Sequence, residues 1–175
     1  MTGLAIHTPA GQPSIKHEDR ARELFAQRAG VKYGRSAREG REAAARLDGV
    51  CLIGDDIAVV VETKARSTFG AGCPATLKTL VEQFKSRWLI SNDKLESGWQ
   101  ATRLFGVPFT VLLYLPLEDL LLVQRAFHAD GTRAADWWVS KTRTQATCNG
   151  GDAYRDNAFI YMSEAPKVLA RRMAA

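Results

Sequence analysis

Apolar positions divide this chain into segments of different period. Ala21, Leu24, Phe25 and Ala29 recur at helical spacing. They predict an amphipathic helix from about Ile15 to Ala29, with Ser14 as its cap and Gly30 as its stop. Residues 1–15, with Pro9, Gly11 and Pro13, read as an irregular lead-in. Residues 30–45 are basic and rich in small side chains, and fit a loop or a short helix. Two apolar, β-rich runs follow, Val50 to Ile53 and Ile57 to Val61, separated by Gly54, Asp55 and Asp56. This is the pattern of a hairpin. Neither run alternates strictly, so both faces are expected to be covered, as inside an α/β sheet. After a loop punctuated by Gly70, Gly72 and Pro74, the spacing of Leu77, Leu80, Val81, Phe84 and Trp88 predicts a helix over 75–90. A second helix runs from about Asn92 to Phe105 and stops at Gly106. Val107 to Leu115 and Leu120 to Phe127 predict strands around a Pro116 turn, and the alternating stretches from Ala129 to Met162 predict further strands on the same core. The expected class is α/β (α+β mixed), a central mixed β-sheet flanked by helices. One domain is expected, with a core over about 15–127 and a C-terminal elaboration over about 128–175.

Composition narrows the setting. The chain has 175 residues, 46% hydrophobic and 25% charged, enough to bury a core without disulfides or a structural metal. Its longest apolar stretch, Val107 to Val123, is broken by Pro116, Glu118 and Asp119, so no membrane association is expected. No secretory signal is expected either. The cysteines Cys51, Cys73 and Cys148 are odd in number and form no CxxC pair, which argues against a disulfide framework or zinc cage and for a cytoplasmic location. The net charge of +5 favours polyanionic partners. Basic residues crowd the stretch from Lys16 to Arg46 and recur at Arg133, Lys141 and Arg143. A solvated basic surface is the plainer explanation of the same charges.

The chemistry sits in Leu47-Asp48-Gly49-Val50 and Val61-Glu62-Thr63-Lys64. Residues two apart in a strand share a face, so Glu62 and Lys64 project together. With Gly54 to Asp56 as a three-residue loop, Ile53 faces Ile57 and Asp48 falls across from Glu62. Such residues have Cβ atoms about 4.5–5.5 Å apart. Two carboxylates that close repel unless a proton or cation lies between them. Mg²⁺ suits the gap, because it takes oxygen ligands and uses one or two carboxylates together with water and substrate phosphate. Asp48 and Glu62 supply the carboxylates and the Thr63 carbonyl a third oxygen, with Mn²⁺ as a substitute metal. Lys64 then neutralises a phosphate oxygen or orients the attacking water. A buried ion pair between Lys64 and one acid is the competing explanation, but it leaves the second acid without a purpose.

An Asp, then a hairpin, then Glu-x-Lys at a strand end resembles the PD-(D/E)XK nuclease superfamily. The resemblance spans about Glu18 to Leu115. Leu47 stands where that family usually has Pro before the Asp. The resemblance implies a restriction-endonuclease-like core, here with extra C-terminal strands, and a metal site at one sheet edge. It also implies a further Glu on the first helix. Of the candidates Glu18 and Glu23, Glu18 borders the apolar stripe, whereas Glu23 lies about 160° from it. Glu18 is therefore the expected metal or water ligand, the alternative being an acid stabilised by the helix dipole. Gln100, on the helix before Gly106-Val107-Pro108, is similar to a Gln near the active site of virus-type replication-repair nucleases and some junction resolvases. Its alternative role is a hydrogen bond to backbone or water.

Weaker signals are a substrate-contacting loop at Ser67 to Cys73 and a stacking patch at Trp137 and Trp138 with Lys141 and Arg143. In the patch, one Trp in the core and one partly exposed is the plainer arrangement. Cys51 reads as a small core hydrophobe. The expected function is a Mg²⁺-dependent DNA endonuclease, for which a homodimer would suit cutting of both strands. The alternatives are an inactive DNA-binding or assembly protein on the same fold, or an enzyme on a small phosphodiester.

Overall fold

The computed structural model describes residues 12–35, 47–145, 152–162 and 165–169. The lead-in, most of the basic stretch between residues 36 and 46, and Cys148 lie outside the described residues.

Helix α1 (Gln12–Ala29) starts upstream of Ser14, so Ser14 is not its cap. Strand β1 (Lys32–Arg35) follows, where a loop or short helix was expected. Strands β2 (Gly49–Ile53) and β3 (Asp56–Ala65) form the expected hairpin. Its loop is shorter than expected: Ile53 pairs with Asp56, leaving two residues at the tip. Gly54 takes φ +61 there, a conformation open to glycine at little cost. The pairing then slips between Cys51 and Leu52, leaving Ala58 as a bulge, and Gly49 faces Val61.

The helix expected over 75–90 is a correction. Only Leu77–Glu82 is helical (α2), capped by the Thr76 hydroxyl accepting from Thr79 N–H. The chain turns through left-handed Lys85 and Ser86 and becomes strand β4 (Arg87–Ser91). Helical spacing of Phe84 and Trp88 misleads here, because Trp88 and Ile90 are the inward residues of an alternating strand. Helix α3 (Asn92–Phe105) has the expected bounds and ends on left-handed Gly106, whose N–H donates to the Thr102 carbonyl. Strands β5 (Phe109–Leu115) and β6 (Leu120–Phe127) flank the Pro116 turn. Strands β7 (Trp137–Gln145), β8 (Asp152–Tyr161) and β9 (Lys167–Leu169) complete the chain.

The large sheet has the order β1-β2-β3-β5-β6-β9, mixed because β3 and β5 run parallel while its other pairs are antiparallel. A three-stranded antiparallel sheet, β4-β8-β7, stands apart from it. Among the described residues, the C-terminal segment contributes β9 to the main sheet, while β7 and β8 recruit β4 into a second one. Both share a core, since Ala158 and Ile160 pack in one cluster with Val60, Val111, Leu113 and Leu95 of α3. On the opposite face of the large sheet, Ala21 and Leu24 of α1 pack with Cys51, Val59, Val61 and Leu112. Strands β3 and β5 are thus covered on both sides, as their unbroken apolar runs require. Arg20 and the Tyr114 hydroxyl both donate to Asp119, tying α1 to the turn after β5. No helix among the described residues is long and apolar enough to cross a membrane.

Helix α3 approaches β5 because Gly98 has no side chain. A Cβ there would lie 2.5 Å from the Phe109 ring, and Phe109 is wholly buried. Gly98→Ala is therefore expected to lose about 1–3 kcal/mol in urea denaturation through overpacking, against the gain normally seen for this change inside a helix.

Candidate functional site

The register of the hairpin decides where the first carboxylate goes. The shortened tip shifts the hairpin register by one residue and Ala58 shifts it back, so the ladder ends at Gly49–Val61 with Asp48 the next residue beyond it. A one-residue slip would have turned Asp48 to the other face. A side chain at Gly49 would strike Tyr33 and the Gly34 carbonyl of β1, so glycine next to Asp48 is what lets β1 lie close. Asp48 is fixed by its own Oδ2, which accepts the Thr63 N–H at 2.7 Å.

Glu62 and Lys64 stand on the α3 side of β3. The Glu62 carboxylate is 0% exposed. Its Oε1 lies 3.0 Å from Lys64 Nζ, and its Oε2 accepts from Lys94 Nζ at 3.2 Å. Lys94 also reaches to 3.9 Å from Asp48 Oδ1, so one ammonium is shared by the two acids. From the other face of the sheet, Arg22 of α1 lies 3.6 Å from Asp48 Oδ2 and 3.4 Å from Glu18 Oε2, and donates to Asp19 at 2.9 Å.

The structure thus brings Asp48, Glu62 and Lys64 together. Glu18 is buried on α1 and Glu23 exposed, in line with the helical-face argument. Glu18 joins the group through Arg22. Thr63 is buried, and its N–H serves to hold Asp48. Gln100 is exposed, about 9 Å along α3 and about 240° around it from Lys94, and is not part of the cluster. Lys94 and Arg22 were not expected. Lys94 carried a signal: a lysine in the first turn of a helix opposes the dipole, and it shares a stripe with buried Gly98 and Ala101. A cation in that position calls for a carboxylate partner.

Burial pushes the Glu62 carboxyl above the usual carboxylate range, with Lys64 and Lys94 pulling it down and Asp48 adding to the rise. Burial lowers the Lys64 ammonium, but Glu62, Asp48 and Glu18 outweigh it and leave its pKa above that of a free lysine. Lys64 therefore remains a cation at neutral pH, with 29% of its side chain exposed.

Among the described residues, no three His, Cys, Asp or Glu side chains gather into a metal-binding group. Asp48 and Glu62 are a pair of acids close enough to share one cation. Two features make that pair suitable. Glu62 Oε1 is buried and faces the Lys64 ammonium at 3.0 Å, so its partner is a cation. The two carboxylates also converge on a single cation, the Lys94 ammonium. Two carboxylates complemented by water and phosphate oxygens are an ordinary donor set for Mg²⁺. Comparison with protein-family models, with curated proteins and with solved structures finds no match.

The Glu62 shift has a definite sign for stability. The folded chain holds this proton more tightly than the unfolded chain, so stability falls as pH rises from the ordinary carboxylate range through the raised value. Glu62→Gln is expected to flatten the pH dependence of urea midpoints over that window. An unchanged slope in the variant would show that Glu62 titrates normally.

Proposed function

We propose that this protein is a Mg²⁺-dependent nuclease that hydrolyses phosphodiester bonds in DNA, acting as an endonuclease. The observation that carries the reading is the convergence of Asp48, Glu62 and Lys64 on one face at a strand end, with a cation already shared by the two acids. The same triad underlies the resemblance to the PD-(D/E)XK nucleases, and the mixed sheet with α1 on one face and α3 on the other is compatible with it.

In this reading Asp48 and Glu62 hold the metal, which when bound supplies Lewis-acid stabilisation of a phosphoryl oxygen and acidifies water. Asp48 is pre-aimed by the Thr63 N–H. Arg22, held between Glu18 and Asp48, fixes the back of that carboxylate. Lys64 is the most exposed of the three central groups and stays protonated. It therefore serves as a hydrogen-bond donor and charge for the attacking water or the phosphate, and not as a general base. The partly exposed ammonium marks the side from which the phosphate arrives.

The second reading is a DNA-binding or assembly protein without activity. It is favoured by the density of cations around the two acids, since Lys64, Lys94 and Arg22 all neutralise charge that a metal would otherwise meet. A cleavage assay on supercoiled, linear, single-stranded and branched DNA, with and without Mg²⁺, separates the two. Nuclease action predicts metal-dependent cleavage that falls at least about 100-fold in Lys64→Ala and Glu62→Ala, with both variants folded by circular dichroism. Binding without cleavage of any substrate selects the second reading.

Lys94 supplies a further test, because its ammonium competes with a metal for the same two carboxylates. Lys94→Met is expected to tighten Mn²⁺ binding in titration calorimetry several-fold. Weaker binding in that variant would mean that Lys94 organises the carboxylates instead of competing for them.

A further inference from the structure

The chain beyond Lys64 leads directly into a cleft beside the small sheet. Arg66 lies two residues further along, about 7 Å in an extended chain, and lines a cavity of about 620 Å³. The floor is the outer face of the small sheet, where Trp138 and Phe159 are cross-strand partners. Their rings stack at 5.1 Å and 10°. The walls are the loop after β3, with Phe69, and the left-handed turn before β4, with Phe84 and Lys85. Phe69 packs against Phe84 at 5.0 Å. Arg87 crosses the small sheet to lie 4.5 Å from the Trp138 ring centre.

Two properties of this cleft point to one kind of occupant. Its lining holds Arg66, Lys85 and Arg87 and no carboxylate, so it favours an anion. Its surface is aromatic, and Trp138 remains 44% exposed in spite of its neighbours. Cations that track a phosphate backbone and rings on which bases stack are the features of a single-strand binding groove. A duplex keeps its bases stacked on one another and offers these rings nothing.

We propose that this cleft binds unpaired nucleic acid, with bases against Trp138 and phosphates on Arg66, Lys85 and Arg87, and delivers the adjoining phosphodiester to Lys64. The inference rests on the nuclease reading for the delivery step alone; the binding step stands without it. A nuclease fed in this way cuts next to single-stranded tracts, at flaps, forks or gaps, in preference to continuous duplex.

The test is fluorescence anisotropy of a labelled 12-nucleotide single strand in EDTA, where no metal-dependent cleavage interferes. Trp138→Ala is expected to weaken binding about ten-fold. Arg87→Gln should weaken it and lower the salt slope by about one. Lys141→Gln, on the opposite face of β7 from Trp138, should leave both unchanged. Thermal melts of each variant report folding, and Trp138→Phe, which keeps a ring, should restore most of the affinity. Wild-type affinity in both Trp138→Ala and Arg87→Gln overturns the proposal, as does wild-type protein that binds only duplex. Single-strand binding that depends on these residues, in a protein that cleaves nothing, upholds the cleft and removes the nuclease reading.

Discussion

Placing the Glu62 carboxylate out of water governs the architecture around it. Removing an ion from solvent costs several kcal/mol unless compensating charge is close, and Glu62 is fully enclosed. Compensation comes from two separate elements, Lys64 on its own strand and Lys94 on α3. Helix α3 must therefore begin over the end of β3, which in turn requires the close passage of Gly98 over Phe109. Asp48 adds a second negative charge, met by Lys94 and by Arg22 from the opposite face of the sheet. The cluster draws α1, β2, β3 and α3 to a single point. Such an arrangement is poor value for stability alone, because a well-packed apolar group would serve at least as well.

The same demand explains the charge logic of the surroundings. Cations lie on three sides of the two acids, yet only Lys64 keeps appreciable contact with solvent. The open direction of the site is therefore positive, although its floor is acidic. From Lys64 the positive character continues through Arg66 to Lys85 and Arg87 along the cleft beside the small sheet.

Local signals in the sequence were sufficient for the hairpin, for α3 with its Gly106 stop, and for β5 and β6 around Pro116. Each of these is set by neighbours within a turn or a strand pair. Strand β4 was illegible because Trp88 also continues the helical spacing of Leu77, Leu80 and Phe84, and its true partner, Ile160, lies far along the chain. The separate small sheet follows from the same long-range pairing. At the site, Asp48, Glu62 and Lys64 were readable because strand parity fixes their faces. The partner of Lys94 was not, since its acid is 32 residues away and only the fold joins them. Gln100 drew attention through its helix and the strand entry after it, but a helix presents several faces and sequence context did not identify which one turns inward.

The bulge at Ala58 has one more effect. The sequence between Ile53 and Val59 admits two pairings, a two-residue tip with a bulge, as found, or a three-residue tip with none, and both leave Cys51 opposite Val59. Everything beyond that point, including the two acids, is indifferent to which is adopted. The hairpin tip is in this sense mechanically insulated from the carboxylates: it has slack that is taken up before any displacement travels down the strands.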